Sequence, residues 1–510
     1  MNEAPGKKAD ENKELELINL MLRKSFFFPA AEIYASSLGG FWDFGPFGQA
    51  MRNKVIDFWR RQLVRKEGFI EIRGSEILPE QVFVASGHLK NFNDPLTQCS
   101  KCHALLRADT LISDHLSINF PEGLPTAHFD ELIKKHNLKC PKCGFELLPV
   151  KRFNLMLKTE VGAAGGQTAY LRPEACQNIF LDFNRLSKTM RITLPIGVAQ
   201  PGNAFRNEIN PRNYLLRERE IGQMEIEIFF NPKKINEVNE NKWLEVKDYK
   251  LNLFLLGKES IEKISCSEAV DRQTCSGKLI AYYLAKTQQF YEALGIPVEL
   301  IRFRQLGEDE RAFYAKETWD VEALLGSKWI ELMACNYRTD HDLKGHALES
   351  KKDLSVTEDN ETFIPHIFEL SAGIDRAMYA ALYFAYKIDL SRGEKSVYLD
   401  LKPFLAPVSV GVLPLVNKDG LNELALKIQD ELIDEGFDAF FDDSGSIGRR
   451  YARLDEIGCP FALTIDYQSK EDDTVTIRDR NSMKQKRVKI EGFSSLLRQL
   501  ILMKKDFTQI

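Results

Sequence analysis

No stretch of this 510-residue chain approaches the roughly 20 consecutive apolar residues that a helix needs to cross a bilayer, so a membrane span and membrane partners are not expected. The start, MNEAPGKKADENKELE, lacks the apolar segment of a secretory signal. Nor is there an excess of positive charge: 69 Lys and Arg against 74 Asp and Glu leave a net charge of −5. No global basic field advertises nucleic acid, and any RNA contact has to use local patches. A Ser-His-Asp or Cys-His pattern for nucleophilic catalysis is missing as well. Nine cysteines without a secretory start fit metal ligands or free thiols in a reducing compartment better than disulfides, and the cytoplasm is the expected location. What is present is 44% hydrophobic and 28% charged, as in ordinary globular proteins. The chain is too long for one core and is expected to hold two to four domains.

The most informative stretch runs from Asn203 to Phe230. Its second half alternates, with Met224, Ile226, Ile228 and Phe230 on one face and Gln223, Glu225 and Glu227 on the other, the period of a half-buried strand. An earlier strand candidate ends in Phe205, Arg206, Asn207 and Glu208. Between them, a loop announced by Asn210-Pro211 carries Arg212, Arg217 and Arg219. Guanidinium groups offer planar forks that fit phosphate oxygens and stack on flat bases, while adjacent carboxylates can take an ammonium or a metal ion. Taken alone, such a hairpin is more often a salt-bridged surface element.

Other stretches carry their own signals. Residues 1–12 read as a disordered tail, followed by a helix over Glu14–Lys24. A turn with Gly39, Gly40, Gly45, Pro46 and Gly48 precedes a helix with Met51, Val55, Phe58, Trp59 and Leu63 at helical spacing, closed by Gly68, and a strand over Phe69–Ile72. Cys99-x-x-Cys102 and Cys140-x-x-Cys143, 37 residues apart, offer two knuckles that complete a tetrahedral Cys₄ zinc site; four thiolates leave no open position, so the zinc is expected to be structural. Residues 96–150 form this zinc-ribbon-like insertion, with His103 and His136 read as surface residues. The charged, strand-poor segment 231–295 reads as a second insertion. The apolar strand beginning KWIELMACN carries Glu331, and Arg338, Asp340, Asp342 and His346 follow. Ile367–Leu370 reads as a short strand, Ser371-Ala372-Gly373 as a tight turn, and a helix from Asp375 is apolar on nearly every face and therefore buried. After a linker ending at Pro407, alternating strands and helices read as a mixed α/β domain over 403–510, with Arg449, Arg450, Arg480, Lys484 and Lys486 as a candidate basic surface.

The string FRNE-x-x-PR-x-x-x-x-R-x-RE-x-x-QMEIE-x-FF resembles motif 2 of class II aminoacyl-tRNA synthetases, in the form found in glycyl-tRNA synthetases. The glycine-rich turn, helix and strand up to Ile72 are similar to motif 1, with Ser75 where the motif places proline. PHIFELSAGIDR resembles motif 3, with Leu370 for the frequent proline. Ser86-Gly87-His88, Phe92-Asn93-Asp94-Pro95 and Leu171-Arg172-Pro173-Glu174 follow the same family, with Asn178 for a glycine that a left-handed asparagine could replace. Around Glu331, Ala334, Cys335 and Asn336 depart from the family while RTD-x-DL is intact. The C-terminal segment resembles the class IIa anticodon-binding domain. The resemblance implies an α/β (α+β) architecture: an antiparallel-sheet catalytic core over 13–395, with the anticodon-binding domain behind it.

It further implies a two-step reaction in which glycine and ATP give glycyl-adenylate and tRNA(Gly) then takes the glycyl group, in a homodimer built through the motif 1 region. Arg206, Arg376 and Glu331 are the implied catalytic residues, Glu331 through Mg2+. ATP is expected at Arg206, Asn207 and Glu208, at Leu216, Arg217, Glu218, Arg219, Glu220 and Ile221, at Glu331 and Leu332, and at Gly373, Ile374, Asp375 and Arg376. Glycine is expected at Arg107, Glu174, Ile221, Gly222, Gln223, Met224, Glu225, Glu369, Leu370, Ser371, Ala372 and Gly373. A non-catalytic synthetase-like subunit would be expected to lose Arg206 and Arg376, and another class IIa synthetase to lack RNEI-x-PR and QMEIE; this chain keeps all of them.

Overall fold

The computed structural model describes residues 5–116, 118, 120, 124–163, 165–209, 211, 213–389 and 396–510. Asn210 and Arg212 of the arginine-rich loop, and the first four residues of the expected tail, lie outside the described residues. From Pro5 the tail expectation gives way to a helix, α1 (Pro5–Arg23). Its reason is packing: Leu17, Ile18, Leu20 and Met21 are buried, and Glu14 and Glu16 accept hydrogen bonds from Tyr379 and Tyr386.

The centre is a nine-stranded sheet. Helix α2 (Pro46–Trp59) starts on a proline, whose missing N–H costs nothing at that position, and buries Met51, Val55, Phe58 and Trp59. Gly48 lets it dock, because a Cβ there would lie 1.7 Å from the Phe26 carbonyl oxygen. Strand β1 (Ile70–Glu71), helix α3 (Gln177–Thr189), and strands β2 (Ile196–Phe205) and β3 (Glu220–Phe230) follow. Next come β4 (Lys250–Phe254), β5 (Glu262–Ser265), helix α4 (Lys278–Ala293), β6 (Ile301–Gln305), β7 (Glu317–Leu325), β8 (Lys328–Thr339), helix α5 (His341–Ser350), β9 (His366–Gly373) and helix α6 (Ile374–Ala385). The strand order is β5-β4-β6-β7-β8-β9-β3-β2-β1, antiparallel except where β1 runs with β2 and β4 with β6.

Two expectations are corrected by this sheet. Segment 231–295 is not strand-poor and is no appended module: β4 and β5 form one edge of the central sheet, and α4 buries Leu279, Ile280, Leu284 and Phe290 in the same core as Met224 and Met378. Its surface lysines and glutamates mask short strands whose Leu251, Leu253 and Ile264 face inward. Ser371–Gly373 is not a turn but the end of β9, paired throughout with β3 and, at Ser371 and Ala372, also with β8; neighbours rather than local propensity hold it extended. Helix α6 is buried over Ala377–Tyr383, as its apolar run requires.

The cysteine segment has a core of its own, with Ala108, Ile112, Phe129, Ile133, Leu138 and Val150. The C-terminal domain has strands β10 (Val410–Pro414), β11 (Ala439–Phe441), β12 (Phe461–Ile465), β13 (Thr474–Asp479) and β14 (Gln485–Lys489) in the order β11-β10-β12-β13-β14. Its helices cover both faces, and Leu413, Leu454, Ile457, Cys459 and Ala462 join the catalytic core. The expected basic surface does not form as a unit. Arg450 donates to the carbonyls of Asp443 and Gly445, Arg480 to those of Gly458 and Leu401, and both are buried.

Candidate active site

The cleft lies on the polar face of β3, β8 and β9, where register rather than sequence proximity assembles the residues. Gln223 stands opposite Gly373, Glu225 opposite Ser371 and Glu227 opposite Glu369; across β9, Ala334 stands beside Ser371 and Asn336 beside Glu369. Alternation predicts this face to be solvated, and that is wrong: Gln223 is 6% exposed and Glu225 and Glu227 are 0%. The segment leading into α3 covers it, with the Ala175 N–H donating to Gln223 Oε1 at 3.0 Å. The remaining cavity has a volume of about 720 Å³ and is lined by Arg206, Arg107, Glu174, Glu331, Glu369, Ser371 and Arg376 among others.

Its inner end gathers three carboxyls, Glu174, Glu225 and Glu369, around Ser371, whose hydroxyl donates to Glu225 Oε1 at 2.9 Å. Two side chains that sequence reasoning gave no role, Arg338 and His88, contact them. Arg338, fully buried, contacts Glu369 Oε1 at 2.7 Å, Asp342 bidentately at 2.7 and 2.8 Å, and Glu174 at 3.9 Å. Tyr314 lies over its guanidinium at 3.7 Å and donates to Glu174 at 3.2 Å. His88 Nε2 lies 3.3 Å from Glu174 Oε2, with Nδ1 2.8 Å from the Ser86 hydroxyl. Asn336 Nδ2 donates to Glu369 at 2.5 Å. The available signal was the spacing of Arg338 and Asp342, i and i+4 within RTD-x-DL.

Burial sets the charge state of this cluster. It would raise Glu174, but His88, Arg338 and Arg206 hold that carboxyl well below the ordinary range. Glu225 goes the other way: burial, then Glu369 and Glu174, push it well above the usual value. Glu369 is raised by burial against the opposing pull of Arg338. A pocket with several buried carboxyls and one guanidinium among them is short of positive charge, which is what an incoming ammonium supplies.

The outer end is rich in arginine. Arg206 Nε donates to the Pro173 carbonyl at 3.1 Å and its guanidinium lies over the Phe92 ring. Arg376, in the first turn of α6, donates to the Leu216 and Glu331 carbonyls and lies 3.3 Å from the Glu331 carboxylate. Arg217 is held by Glu208 at 2.7 Å. Asp320 on β7 faces the same space; burial and then Glu331 push it up to about 8, against Arg304. Two carboxyls facing one space are a donor set suited to a hard divalent cation.

Several of the expected residues do not line this cavity. Met224, Leu370 and Ala372 point to the opposite, apolar face and belong to the core, because each alternates with the cleft-facing residues in the strand period. Asp375 is engaged by Arg52 at 2.8 Å and the Gly222 N–H at 2.9 Å. Glu218 is buried, pushed well above its usual value by burial and then Asp375. Glu220 accepts from Asn203, Ile374 is buried, and Arg219 binds the carbonyls of Gly39 and Glu208. These five brace motif 2 rather than line the cleft. Gly373, Ile221 and Leu332 do line it, whereas the Asn207 N–H bonds to Leu155. Arg107 reaches the cleft, but its carboxylate partners are Asp94 at 2.9 Å and Asp109 at 2.6 Å, on the arginine-rich side. Asn178 is helical within α3, not left-handed, and its side chain takes a hydrogen bond from Arg172 at 3.1 Å. Cys176 is buried, and burial keeps its thiol well above its ordinary value.

The four cysteines converge. Cys99 and Cys143 sulfurs are 3.4 Å apart, Cys102 and Cys140 3.7 Å, and all four lie within 4.8 Å of one another. A tetrahedron with Zn–S bonds of about 2.3 Å has edges near ~3.8 Å, so the set fits zinc. Cys99-x-x-Cys102 is the turn of a hairpin, Asn93–Gln98 with Leu105–Arg107, whose far end carries Asp94 and Arg107.

Comparison with known proteins agrees with this geometry. Residues 158–384 match the tRNA synthetase class II core domain (G, H, P, S and T) and residues 409–500 the anticodon binding domain. The chain is 37% identical to the glycine–tRNA ligase of Methanocaldococcus jannaschii, over 95% of this chain and 98% of that protein. It is 38% identical to that of Thermococcus kodakarensis, over 97% and 99%. Among solved structures, the prolyl-tRNA synthetase of Cryptosporidium parvum complexed with halofuginone and AMPPNP superposes with a TM-score of 0.57 at 11% identity, covering 96% of this chain and 75% of that one, a likeness of fold alone.

Proposed function

Since the chain belongs to the glycine–tRNA ligase family of class II synthetases, we propose that its cleft joins glycine to ATP and passes the glycyl group to tRNA(Gly). The observation that carries this reading is the pairing of a carboxyl-rich inner end with an arginine-rich outer end in one cavity. In the first step the glycine carboxylate attacks the α-phosphate of ATP and pyrophosphate leaves. No side-chain nucleophile is needed; positioning and neutralisation of charge at phosphorus supply the acceleration. Arg206 holds the α-phosphate, and Arg376 the outer phosphates. Glu208 keeps Arg217 at the mouth, oriented for the nucleotide. Glu331, with Asp320, would hold Mg2+, which when bound screens the phosphate oxygens. In the second step the terminal adenosine hydroxyl of the tRNA takes the glycyl group.

Glycine has no side chain to grip, so selection must come from its ammonium and from exclusion. Glu174, Glu225 and Glu369 receive the ammonium, and Ser371 beside Ala334 leaves no room for a methyl group. Excluding alanine sterically is more effective than rewarding a missing methyl, which is worth only ~1–3 kcal/mol. Arg107 meets the glycine carboxylate only by exchanging Asp94 or Asp109 for it. The zinc is structural, the C-terminal domain reads the anticodon, and the protein works in the cytoplasm as a homodimer through α2 and β1.

The test is amino-acid-dependent exchange of pyrophosphate into ATP without tRNA. Exchange with glycine alone supports adenylation and the pocket together. Exchange with another amino acid discards the pocket, and none from folded protein discards the enzyme.

A further inference from the structure

Glu227 lies one step below the cleft, on the same face of β3 as Glu225, and the reaction described above gives it nothing to do. It is fully buried, stands opposite Glu369 in the ladder, and neither of its carboxyl oxygens has a hydrogen-bond partner among the described residues. Ligating atoms of Glu227, Glu369 and Cys176 lie within 4.8 Å of one another. The titratable and charged groups facing it are Glu369 from β9, Arg338 from β8, Glu225 from its own strand, Asp342 from α5 and Cys176 at the start of α3. Arg338 is already spent on Asp342 and Glu369.

Two species can occupy such a position, a cation shared by the three side chains or a proton on the carboxyl. The cation is disfavoured. Arg338 sits 2.7 Å from Glu369, and burial followed by nearby carboxylates holds the Cys176 thiol far from its ionised form. A bare carboxylate without a partner would be strongly unfavourable at zero exposure. The proton remains, consistent with burial and then Glu369 raising Glu227 well above the ordinary carboxyl range.

We propose that Glu227 is a positioning residue for glycine recognition: as a neutral acid it donates its hydrogen toward Glu369, across a gap that a carboxyl rotation or one buried water spans, and fixes the Glu369 carboxylate for the ammonium. Asn336 and Arg338 already hold Glu369 from the sides. A donor from below completes its support and leaves the remaining lone pair facing the cleft. Equally important, the proton that a charge-poor cluster must hold then resides on Glu227, not on the carboxylate that meets the substrate. The proposal rests on the glycine pocket described above.

The experiment is pyrophosphate exchange on full-length E227Q, E227L and E369Q proteins from pH 6 to 9, with KM measured separately for glycine and ATP. Loss of a hydrogen bond to a charged group should raise the glycine KM of E227L by about tenfold or more and leave that for ATP within about twofold. E227Q, whose amide donates where the acid did, should restore the glycine KM and reproduce the wild-type pH profile. Equal impairment of E227Q and E227L overturns the proposal, since the acid itself would then be required; a wild-type E227L overturns it as well. If E227L does not fold, the E227Q profile decides: superposition supports a neutral donor, and displacement overturns it. An unchanged glycine KM in E369Q instead removes the pocket reading, independently of Glu227.

Discussion

Arg338 carries more of the inner cleft than any residue of motif 2 or 3. Its guanidinium is fully buried between Phe180 and Tyr314 and answers three carboxylates. Removing one member of such a network leaves the others charged and unpaired. Arg338→Met should therefore cost about 3–5 kcal/mol of stability, read by urea denaturation. Lysine should not rescue it, because one ammonium cannot reproduce the fork held by Asp342. Asp94 offers a pH-dependent case. Burial raises it to about 6 despite Arg107. Its folded form therefore holds a proton more tightly than the unfolded chain, and the stability it contributes is full below the unfolded value near ~3.9 and lost as pH rises through about 6. Asp94→Asn should match the parent at pH 4 and exceed it by up to about 3 kcal/mol above pH 7. Denaturation at the two pH values reads the difference. What sequence missed at this scale was partnership. Glu174, Glu225, Glu369 and Arg376 are legible as charged residues in recognisable strings. That Arg338 and His88 would be their partners depends on β8 and the segment before Phe92 arriving from elsewhere in the chain.

At the scale of elements, periodicity succeeded where one neighbour decides and failed where two do. The hairpin of β2 and β3, helix α2 and the buried helix α6 follow directly from spacing. Ser371–Gly373 misled because small residues after a strand resemble a turn, while β3 along the run and β8 beside Ser371 and Ala372 hold them extended. Strands β4 and β5 were hidden by brevity and by lysine and glutamate on their outward faces. The cysteine hairpin links two elements that sequence kept apart. Its turn holds Cys99 and Cys102, and its open end presents Asp94 and Arg107 to the cleft. Cys102→Ser should take up less zinc than the parent, measured by metal analysis after incubation with zinc, and should raise the KM for glycine or ATP several-fold while the melting of the nine-stranded sheet, followed by far-UV circular dichroism, changes little.

For the whole molecule, the two domains expected from the change of texture near Pro407 are present, but they share a core. Leu413, Leu454, Ile457 and Cys459 pack with Leu401, Leu405 and Phe58, Lys54 pairs with Asp438 at 2.6 Å, and Arg480 binds the Leu401 carbonyl from across the junction. A chain ending at residue 402 should therefore not behave as an intact synthetase core that has merely lost its RNA reader. Burial of this many apolar side chains at ~1.5–3 kcal/mol each implies lowered solubility and a reduced melting temperature, measurable by differential scanning calorimetry against the full chain.

Strand β3 is enclosed on both sides, with Met224, Ile226, Ile228 and Phe230 toward the helices and Gln223, Glu225 and Glu227 toward the cleft. A saturating mutational scan along it would therefore give two interleaved phenotypes within eight residues. Even-numbered positions would register as lost abundance in the cell whatever the substrate supply. Gln223, Glu225 and Glu227 would register as slow growth at normal abundance, relieved by extra glycine, whereas Phe229, stacked on Phe183, would behave as a folding position. A single stretch of backbone thus keeps two separate records, one of folding and one of amino-acid choice.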